Sequence, residues 1–344
     1  MEVMMKPEPS QRPFAFGCDV GATKIALTLG LEPGVIADRL VDSTDRVKGP
    51  EALIKSLVSM IRMMTEKNKL SMKNCLGLGV GFAGPVNGKM GMVIKGANIP
   101  GWENYPLREK LQDALSLPVC VGNDANVGAL GEYRYGGMAR RGDMLYITIS
   151  SGIGAGIVLD GKLYEGTNFT AGEIGHVTIM DNGARCGCGK TGCLETVASG
   201  LGIERIANER MSGEETSLRG RAAETGGRVS CATVFQEARS GDILSTEIVE
   251  NACRYLGRAI AAAVMLMGFS TIVLGGGLTK EGEFLRKKVD FYTRRQLSMI
   301  PDEMVGIHIS RMPESVVDIG ALDMIFESAA RRNAGGETGK QRLP

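Results

Sequence analysis

One order of predicted elements occurs twice along the chain, and this repetition restricts the fold more than any other feature. Three short β-rich runs separated by glycine and polar residues open the first half, at residues 14–21, 25–30 and 36–43. Three more open the second half, at residues 144–150, 156–159 and 162–164. Each set predicts an antiparallel meander, and each is followed by alternating helical and β-rich segments. The sequence therefore predicts a duplicated α/β architecture with a cleft between the halves.

The remaining pattern sets the predicted domain boundaries. Further strands are expected at residues 75–82, 119–123, 271–274 and 306–310, and helices at 50–67, 106–115, 125–135, 243–267, 281–295 and 318–331. We expect a small N-terminal domain of residues 14–124 plus 318–332 and a large domain of residues 125–317. Residues 209–228 form a polar surface excursion with a short helix, and residues 1–13 and 333–344 are flexible tails.

Composition excludes several classes of protein. The 344 residues contain 40 lysines and arginines against 39 aspartates and glutamates, a net charge of +1 that gives no reason to expect nucleic acid or anionic membrane as partner. Residues 1–13 are charged and proline-rich rather than apolar, so we expect a cytoplasmic protein with reduced cysteines. The 48 glycines are about twice the usual share, which suggests many places where backbone turns tightly or approaches a ligand.

A short segment concentrates residues that bind metal ions. His176, Cys186, Cys188 and Cys193 lie in the string H-x9-C-G-C-G-K-T-G-C. Three thiolates and one imidazole suit the tetrahedral preference of Zn²⁺, and the interleaved glycines let a short loop surround the ion. We interpret the segment as a closed, structural zinc site in a loop of residues 176–195. The alternative is a loop of reduced cysteines without metal.

Two carboxylates flank this segment, Glu173 before the histidine and Glu195 after the last cysteine. Negative groups at both ends would repel phosphate, which argues against a zinc knuckle for nucleic acid. They suit a neutral ligand, because each carboxylate can accept hydrogen bonds from adjacent sugar hydroxyls. The alternative for either residue is an exposed surface position.

Three glycine clusters lie at predicted strand ends, where phosphates can contact bare backbone. The first is D-V-G-A-T-K at residues 19–24, the second S-S-G-I-G-A-G at 150–156 and the third L-G-G-G-L at 274–278. One such cluster is as often a plain turn, but three in one chain favour a nucleoside triphosphate. None matches the P-loop pattern or opens a dinucleotide-binding βαβ unit.

Asp124 lies where a predicted strand turns into a helix, in V-G-N-D-A-N at residues 121–126. One interpretation is an N-cap of that helix. The other is a general base at the C-terminal end of a strand, where α/β folds place ligands. Asn123 beside it offers a hydroxyl both a donor and an acceptor.

These motifs together resemble the ROK family, which includes bacterial glucokinases, other hexose and amino-sugar kinases, and sugar-responsive repressors. The resemblance covers residues 14–327 and depends most on D-x-G-x-T-K at 19–24, N-D-A-N at 123–126, A-G-E-I-G-H at 171–176 and C-x-C-G-x-x-G-C-x-E at 186–195. It implies the duplicated actin-like or hexokinase-like (ribonuclease H-like) α/β fold, with the C-terminal helix returning to the first domain. It also implies a homodimer or homotetramer.

The resemblance implies roles for individual residues. Asp124 is similar to the base that removes the proton from the sugar hydroxyl attacking the γ-phosphate of ATP. The implied sugar-binding set is Asn98, Asn123, Asp124, Glu173, His176 and Glu195, with His176 binding zinc through its other ring nitrogen. The implied set for Mg²⁺–ATP is Asp19, Gly21, Thr23, Lys24, Ser151, Gly152, Gly154, Gly275, Gly276 and Gly277.

The sugar is less narrowly specified than the reaction. The loop A-N-I-P-G-W at residues 97–102 is most similar to glucokinases, so ATP-dependent conversion of glucose to glucose 6-phosphate is the favoured activity. Kinases of N-acetylmannosamine, N-acetylglucosamine or allose are alternatives. Phe169, where the family usually has glycine, would either narrow the pocket against an N-acetyl group or pack under the loop. A repressor is disfavoured, because only thirteen residues precede Phe14 and a helix-turn-helix needs more.

Overall fold

The computed structural model describes residues 12–21, 24–43, 49–95, 101–137 and 142–334. The strands along the chain are β1 (Phe14–Val20), β2 (Lys24–Glu32), β3 (Val35–Ser43), β4 (Cys75–Phe82), β5 (Val86–Asn87), β6 (Met92–Val93), β7 (Val119–Asn123), β8 (Met144–Ile149), β9 (Ile153–Leu159), β10 (Lys162–Tyr164), β11 (Thr271–Gly275) and β12 (Gly306–Ile309). The helices are α1 (Pro50–Lys67), α2 (Leu107–Leu115), α3 (Asp124–Tyr135), α4 (Glu195–Ala198), α5 (Gly200–Arg210), α6 (Leu218–Glu224), α7 (Cys231–Arg239), α8 (Ile243–Met267), α9 (Glu283–Arg294) and α10 (Val316–Ala334). In the described part of the chain, no helix is both long and apolar enough to cross a bilayer.

The chain divides into two compact units. The first comprises Met1–Tyr135, Glu165–Thr170 and Ser315–Pro344, and the second comprises Gly136–Tyr164 and Ala171–Glu314. This division places α10 in the first unit, as the sequence-based domain of residues 14–124 plus 318–332 does, and it also places α3 there, whereas the sequence-based boundary lay at Asp124.

The sheet of the first unit has the strand order β3-β2-β1-β4-β7. The first three strands form the predicted antiparallel meander, and β4 and β7 run parallel to β1. Side chains alternate between the two faces of β1. Phe14 and Phe16 lie in one hydrophobic core with residues of α1 and α2, whereas Ala15 packs with Leu322 and Ile325 of α10. Helices therefore cover both faces of this sheet.

Helix α10 lies directly on β1 and β4 because both strands have glycine beneath it. Gly77, Gly79 and Gly81 alternate along β4. A Cβ atom added at Gly79 would lie 1.9 Å from the carbonyl oxygen of Ala321, and one at Gly17 would lie 2.8 Å from that of Asp318. The composition suggested tight turns and ligand contacts for the glycine excess, but these glycines serve helix-to-sheet packing.

The second unit repeats the topology of the first. Its sheet has the order β10-β9-β8-β11-β12, in which β8, β9 and β10 form an antiparallel meander and β11 and β12 are parallel to β8. The buried face of this sheet packs on α8, with Ile147 and Ile272 in one hydrophobic core with Leu256 and Ile260. The repeated strand order confirms the duplicated α/β fold predicted from the sequence.

Several short elements differ from the prediction. Strand β9 begins at Ile153, three residues earlier than expected, so the turn after β8 is shorter. The excursion at residues 209–228 contains α6 as predicted, and Leu218 anchors it in the core. The hairpin β5–β6 and helices α4, α5 and α7 were not predicted. The two-residue strands of the hairpin and the four-residue helix α4 are too short to show a hydrophobic period.

Candidate functional site

The four predicted metal ligands converge in the second unit. The ligand atoms of His176, Cys186, Cys188 and Cys193 all lie within 4.8 Å of one another. The sulfur atoms of Cys188 and Cys193 are 3.6 Å apart, and the sulfur of Cys186 is 3.6 Å from Nδ1 of His176. A tetrahedral Zn²⁺ with bonds of about 2.3 Å to sulfur and 2.0 Å to nitrogen separates its ligand atoms by roughly 3.5–3.8 Å. The spacing of the four side chains therefore fits a zinc ion.

The loop that holds these ligands closes on itself through backbone hydrogen bonds. The amide of Cys186 donates to the carbonyl of Lys190 at 2.8 Å. Gly192 has a φ of +73°, and a Cβ atom there would lie 1.7 Å from the carbonyl oxygen of Met180. Burial raises the pKa of Cys193 to about 12, so a metal ion that bound to this thiol would have to displace its proton.

Two carboxylates and the imidazole lie together beside the metal ligands. Nε2 of His176 is 3.8 Å from a carboxylate oxygen of Glu173, while Nδ1 of the same ring faces Cys186. Burial raises the pKa of Glu173, the charge of His176 opposes this rise, and Glu195 adds to it. One ring nitrogen thus points toward the thiols and the other toward the carboxylate, which is the arrangement that the two predicted roles of His176 require.

Glu195 connects the metal loop to the second glycine cluster. Its Oε2 accepts a hydrogen bond from the amide of Ile153 at 2.9 Å. A Cβ atom added at Gly152 would lie 2.4 Å from that oxygen. Just beyond α4, the amide of Gly200 donates to the carbonyl of Ser150 at 2.8 Å. The predicted hydroxyl-binding carboxylate is therefore positioned by the predicted phosphate turn, which includes Ser151.

The third glycine cluster lies against the same turn. Gly276 has a φ of +81°, and a Cβ atom there would lie 2.6 Å from the carbonyl oxygen of Ile149. A Cβ atom at Gly277 would lie 3.5 Å from the hydroxyl of Ser150. Gly275 ends β11, and Gly154 pairs with Thr148 in the adjacent hairpin. The structure thus brings together all the predicted nucleotide-binding residues of the second unit.

The first glycine cluster lies in the first unit. Asp19 is at the end of β1, where it pairs with Gly81 of β4. The amide of Gly21 donates to the carbonyl of Lys24 at 2.9 Å and closes the turn into β2. Burial raises the pKa of Asp19, and the positive charges of Lys24 and Arg39 oppose this rise. The predicted residues Thr23 and Asn98 lie outside the described residues.

Asp318 is a member of this cluster that sequence reasoning missed. Its side chain is 1% exposed, and Oδ2 accepts a hydrogen bond from Nε of Arg39 at 2.9 Å. Within the described part of the chain, Oδ1 has no hydrogen-bond partner. Burial raises the pKa of Asp318 to about 7, Arg39 opposes the rise and Asp19 adds to it. The available signal was an aspartate within the apolar run V-V-D-I-G-A-L of the last helix.

The sequence left open whether Asp124 caps α3 or acts as a base, and in the structure the capping hydrogen bond is made by Asn123. Oδ1 of Asn123 accepts from the amide of Asn126 at 3.0 Å, three residues on, which is the geometry of an N-cap. Nδ2 of Asn123 donates to the carbonyl of Gly84 at 3.0 Å and to Oδ1 of Asp124 at 3.1 Å. Asp124 also accepts from the amide of Ala125 at 2.8 Å. Asn123 therefore caps α3 and holds the carboxylate of its neighbour.

Phe169 lies in the segment Glu165–Thr170 of the first unit. Its φ is +60°, an uncommon value for a non-glycine residue. The ammonium nitrogen of Lys89 lies 6.0 Å from the centroid of its ring. The ring thus contacts the β5–β6 hairpin, and its effect on a sugar remains a hypothesis.

Comparison with known proteins identifies relatives along nearly the whole chain. A family model described as the ROK family matches residues 15–325. The glucokinase of Halalkalibacterium halodurans is 36% identical over 274 residues, 79% of this chain and 83% of that protein. An N-acetylmannosamine kinase of Escherichia coli is 29% identical over 84% of this chain and 91% of that protein. A xylose repressor of Caldicellulosiruptor bescii is 26% identical over 90% of this chain and 77% of that protein.

A solved structure is similar in three dimensions. The ROK family glucokinase of Streptomyces griseus, crystallised in complex with glucose and AMPPNP, superposes with a TM-score of 0.78 and 28% sequence identity. The superposition covers 91% of this chain and 99% of that protein.

Proposed function

The chain belongs to the ROK family, and from this membership we propose that it is an ATP-dependent hexose kinase that converts glucose to glucose 6-phosphate. One observation carries the proposal. Glu195 at the end of the metal loop accepts a hydrogen bond from the turn at Gly152 and Ile153, so hydroxyl-binding and phosphate-binding groups are built into one arrangement. ATP and reduced thiols are cytoplasmic, and we place the protein in the cytoplasm.

The proposal assigns sugar recognition to Glu173, Glu195 and His176. Ionised carboxylates are acceptors only, so they select a ligand that presents hydroxyl donors. Nε2 of His176 would face the sugar, and Nδ1, which lies beside Cys186, would bind the zinc ion. Zinc would be held by His176 and the three cysteines and would supply structural bracing, because four protein ligands leave no open position for chemistry.

Asp124 is the proposed base. A base must accept the hydroxyl proton as the oxygen attacks phosphorus, and a carboxylate held by hydrogen bonds keeps a fixed orientation. The bonds from Asn123 and from the amide of Ala125 supply that orientation. We propose that Asn123, whose side chain is already committed to capping, acts by positioning Asp124 as well as by any contact with the sugar.

Nucleotide binding is assigned to the three glycine clusters. A Cβ atom at Gly152 would collide with the carboxylate of Glu195 and one at Gly276 with the backbone of Ile149, so both turns keep bare backbone that phosphate or adenosine can contact. Asp19 would orient Mg²⁺–ATP, and Mg²⁺ would supply charge neutralisation of the phosphates. Lys24, at the start of β2, adds a positive charge beside the same turn.

The alternatives are an amino-sugar or allose kinase and a sugar-responsive repressor. The N-acetylmannosamine kinase and the xylose repressor described above support them as relatives. A kinase requires a base, and this chain keeps Asp124 in a fixed hydrogen-bonded position, which supports an enzyme over a sensor. The higher identity to a glucokinase supports glucose over the other sugars.

An ADP-release assay across a sugar panel tests the proposal. The zinc-loaded protein with Mg²⁺–ATP is offered glucose, allose, N-acetylglucosamine, N-acetylmannosamine and xylose. We expect kcat/KM for glucose to exceed the others by at least about tenfold, since correct hydroxyl contacts are worth more than 1.4 kcal/mol together. Higher kcat/KM for an N-acetylated sugar would replace glucose, and no turnover with any sugar would overturn the kinase.

A further inference from the structure

A surface cavity of the first unit has no part in the proposed reaction. It is largely open to solvent, has a volume of about 670 Å³ and is lined by one face of α2, the last turns of α10 and the segment that enters β7. Its polar lining consists of Arg108, Gln112, Ser116, Ser328 and Arg332. Sites for small ligands typically enclose about 300–1,000 Å³, so the volume suits a compact metabolite.

The lining follows from helical spacing. Arg108, Gln112 and Ser116 are four residues apart and lie on one face of α2 and its C-cap, while Ser328 and Arg332 are four apart on α10. Two arginines from different helices therefore line one space, together with residues that carry hydroxyl and amide groups. Leu117 and Pro118 supply an apolar wall.

Both guanidinium groups are bonded only to neutral acceptors in the described part of the chain. Arg108 donates to the carbonyls of Gly88 and Lys89, and its Nε is buried without a partner. Arg332 donates to the carbonyl of Leu76 at 3.0 Å and to the hydroxyl of Ser328 at 2.8 Å. The adjacent Arg331, in contrast, is paired with Glu327 at 2.6 Å.

The charge balance of the cavity is positive. None of the described residues that line it is an aspartate or glutamate. Helices α2 and α10 end near the cavity, and each carbonyl end carries a partial negative charge of about 0.5. Two full positive charges outweigh these partial charges. An anion in the cavity would supply the counter-charge that the described lining residues do not.

We propose that this cavity binds a sugar phosphate, with its phosphate held by Arg108 and Arg332 and its hydroxyls by Gln112, Ser116 and Ser328. Guanidinium groups match phosphate oxygens with paired, charge-assisted hydrogen bonds. The three neutral polar side chains suit sugar hydroxyls, and the apolar wall suits the face of a sugar ring. The proposal does not depend on which sugar the chain phosphorylates.

Calorimetric titration of the full zinc-loaded chain tests the site. The probes are glucose 6-phosphate and inorganic phosphate, added in the presence of glucose and AMPPNP to occupy the proposed reaction site. The wild-type chain is expected to bind glucose 6-phosphate more tightly than inorganic phosphate, because only the former can use the neutral side chains. Equal affinities would remove the sugar from the proposal, and no binding of either probe would overturn the site.

Variants distinguish binding in this cavity from nonspecific attraction of anions to surface charge. Arg332→Gln removes one charge, and Gln112→Glu adds a repelling one. Each should weaken binding of both probes about tenfold or more, as the loss of a charge-assisted hydrogen bond does. Arg331→Gln, one residue away and outside the lining, is the matched control and should bind as wild type. Unchanged affinity in the first two variants, or an equal loss in the control, would contradict the proposal.

The titration stays interpretable if the kinase assay fails. It uses no turnover, and inorganic phosphate can be titrated without glucose or AMPPNP. Gln112 and Arg332 are exposed, so their variants are expected to fold, which thermal melts will check.

Discussion

At the scale of single residues, the first unit contains carboxylates in two different environments. Asp124 is held by neighbouring N–H donors at the start of α3. Asp318 is almost completely buried and shares its surroundings with Asp19, and its carboxylate accepts a hydrogen bond from Arg39. The first environment suits a proton acceptor with a fixed orientation, and the second holds a carboxyl whose protonation depends on pH near neutrality.

Asp124→Asn should abolish catalysis while preserving sugar binding. The amide has nearly the same shape but cannot accept the hydroxyl proton, so kcat should fall by about 10²–10⁴-fold. Glucose affinity, measured by calorimetry without nucleotide, should change less than about threefold. A variant that keeps the wild-type kcat would remove Asp124 from the role of base.

The pKa of Asp318 predicts how stability depends on pH. The folded-state pKa of about 7 lies above the ordinary value near 4, so the folded chain binds this proton more tightly than the unfolded chain. Stability contributed by this group is therefore present below about pH 4 and is lost as the pH rises to about 7. The side chain of the Asp318→Asn variant cannot ionise, so the variant should not lose this stability as the pH rises.

Chemical denaturation at several pH values checks this prediction. Relative to wild type, Asp318→Asn should gain stability between pH 4 and pH 8, by at most about 4 kcal/mol. The exposed Asp113→Asn on α2 is the control and should follow the wild-type profile. If the wild type and Asp318→Asn show parallel profiles, the carboxyl is not the titrating group.

At the scale of elements, strand β4 shows why glycine is needed without any ligand. Its glycines at every second position lie beneath α10, where added Cβ atoms would collide with the backbone of Ala321 or with the side chains of Val317 and Ile325. The metal loop shows the other use, since Gly192 has a positive φ and contacts the backbone of Met180. The two elements need glycine for close packing and for turning, respectively.

Gly79→Ala should destabilise the first unit strongly. A Cβ atom 1.9 Å from the carbonyl oxygen of Ala321 requires the helix to move, which should cost about 3 kcal/mol or more. Gly220→Ala in α6 is the matched control, because no atom lies within 4 Å of its Cβ position. There the helix propensity of alanine should raise stability by up to about 1 kcal/mol. Equal effects in urea denaturation would contradict the packing account.

The metal loop should require its zinc for sugar binding. We expect one zinc per chain in elemental analysis, and Cys188→Ser should lower both the zinc content and the glucose affinity, since His176 then loses its bracing. Cys231→Ser, a thiol outside the loop, is the control. Normal glucose affinity in zinc-free protein would show that the cluster has no role in recognition.

At the scale of the whole molecule, two sheets of the same strand order are built from consecutive parts of the chain. The last helix returns to the first unit and packs on its sheet. Helix α10 contributes Leu322 and Ile325 to one face of that sheet and Asp323 to a pairing with Arg134 of α3. The first unit is therefore completed only when the C-terminal segment is present.

A chain that ends at Glu314 should lose the fold of the first unit. Trp102 is the only tryptophan and is 3% exposed in the core of that unit, so its fluorescence reports the loss as a red shift. Zinc content should persist, because all four ligands lie in the second unit. A chain that ends at Ala334 keeps every described contact and serves as the control. Emission from the shorter chain at the same wavelength as from the control would contradict the prediction.

Much of the element pattern could be read from the sequence because it is local. Helices α1 and α8 and strands β4 and β7 have the predicted bounds, since hydrophobic periodicity and flanking proline or glycine mark them. The hairpin β5–β6 was not predicted, because strands of two residues cannot show a period.

The duplicated order of strands, the four Cys and His residues of the metal loop and the family motifs could all be read from the sequence, because each is formed by residues close together in the chain. Contacts between distant residues became known only from the folded structure. It pairs Arg39 with Asp318, 279 residues apart, places Glu195 on the turn at Ile153, and puts α10 over the glycines of β4. The physical reason is that such contacts depend on how strands and helices pack, and local periodicity holds no information about which distant residues meet.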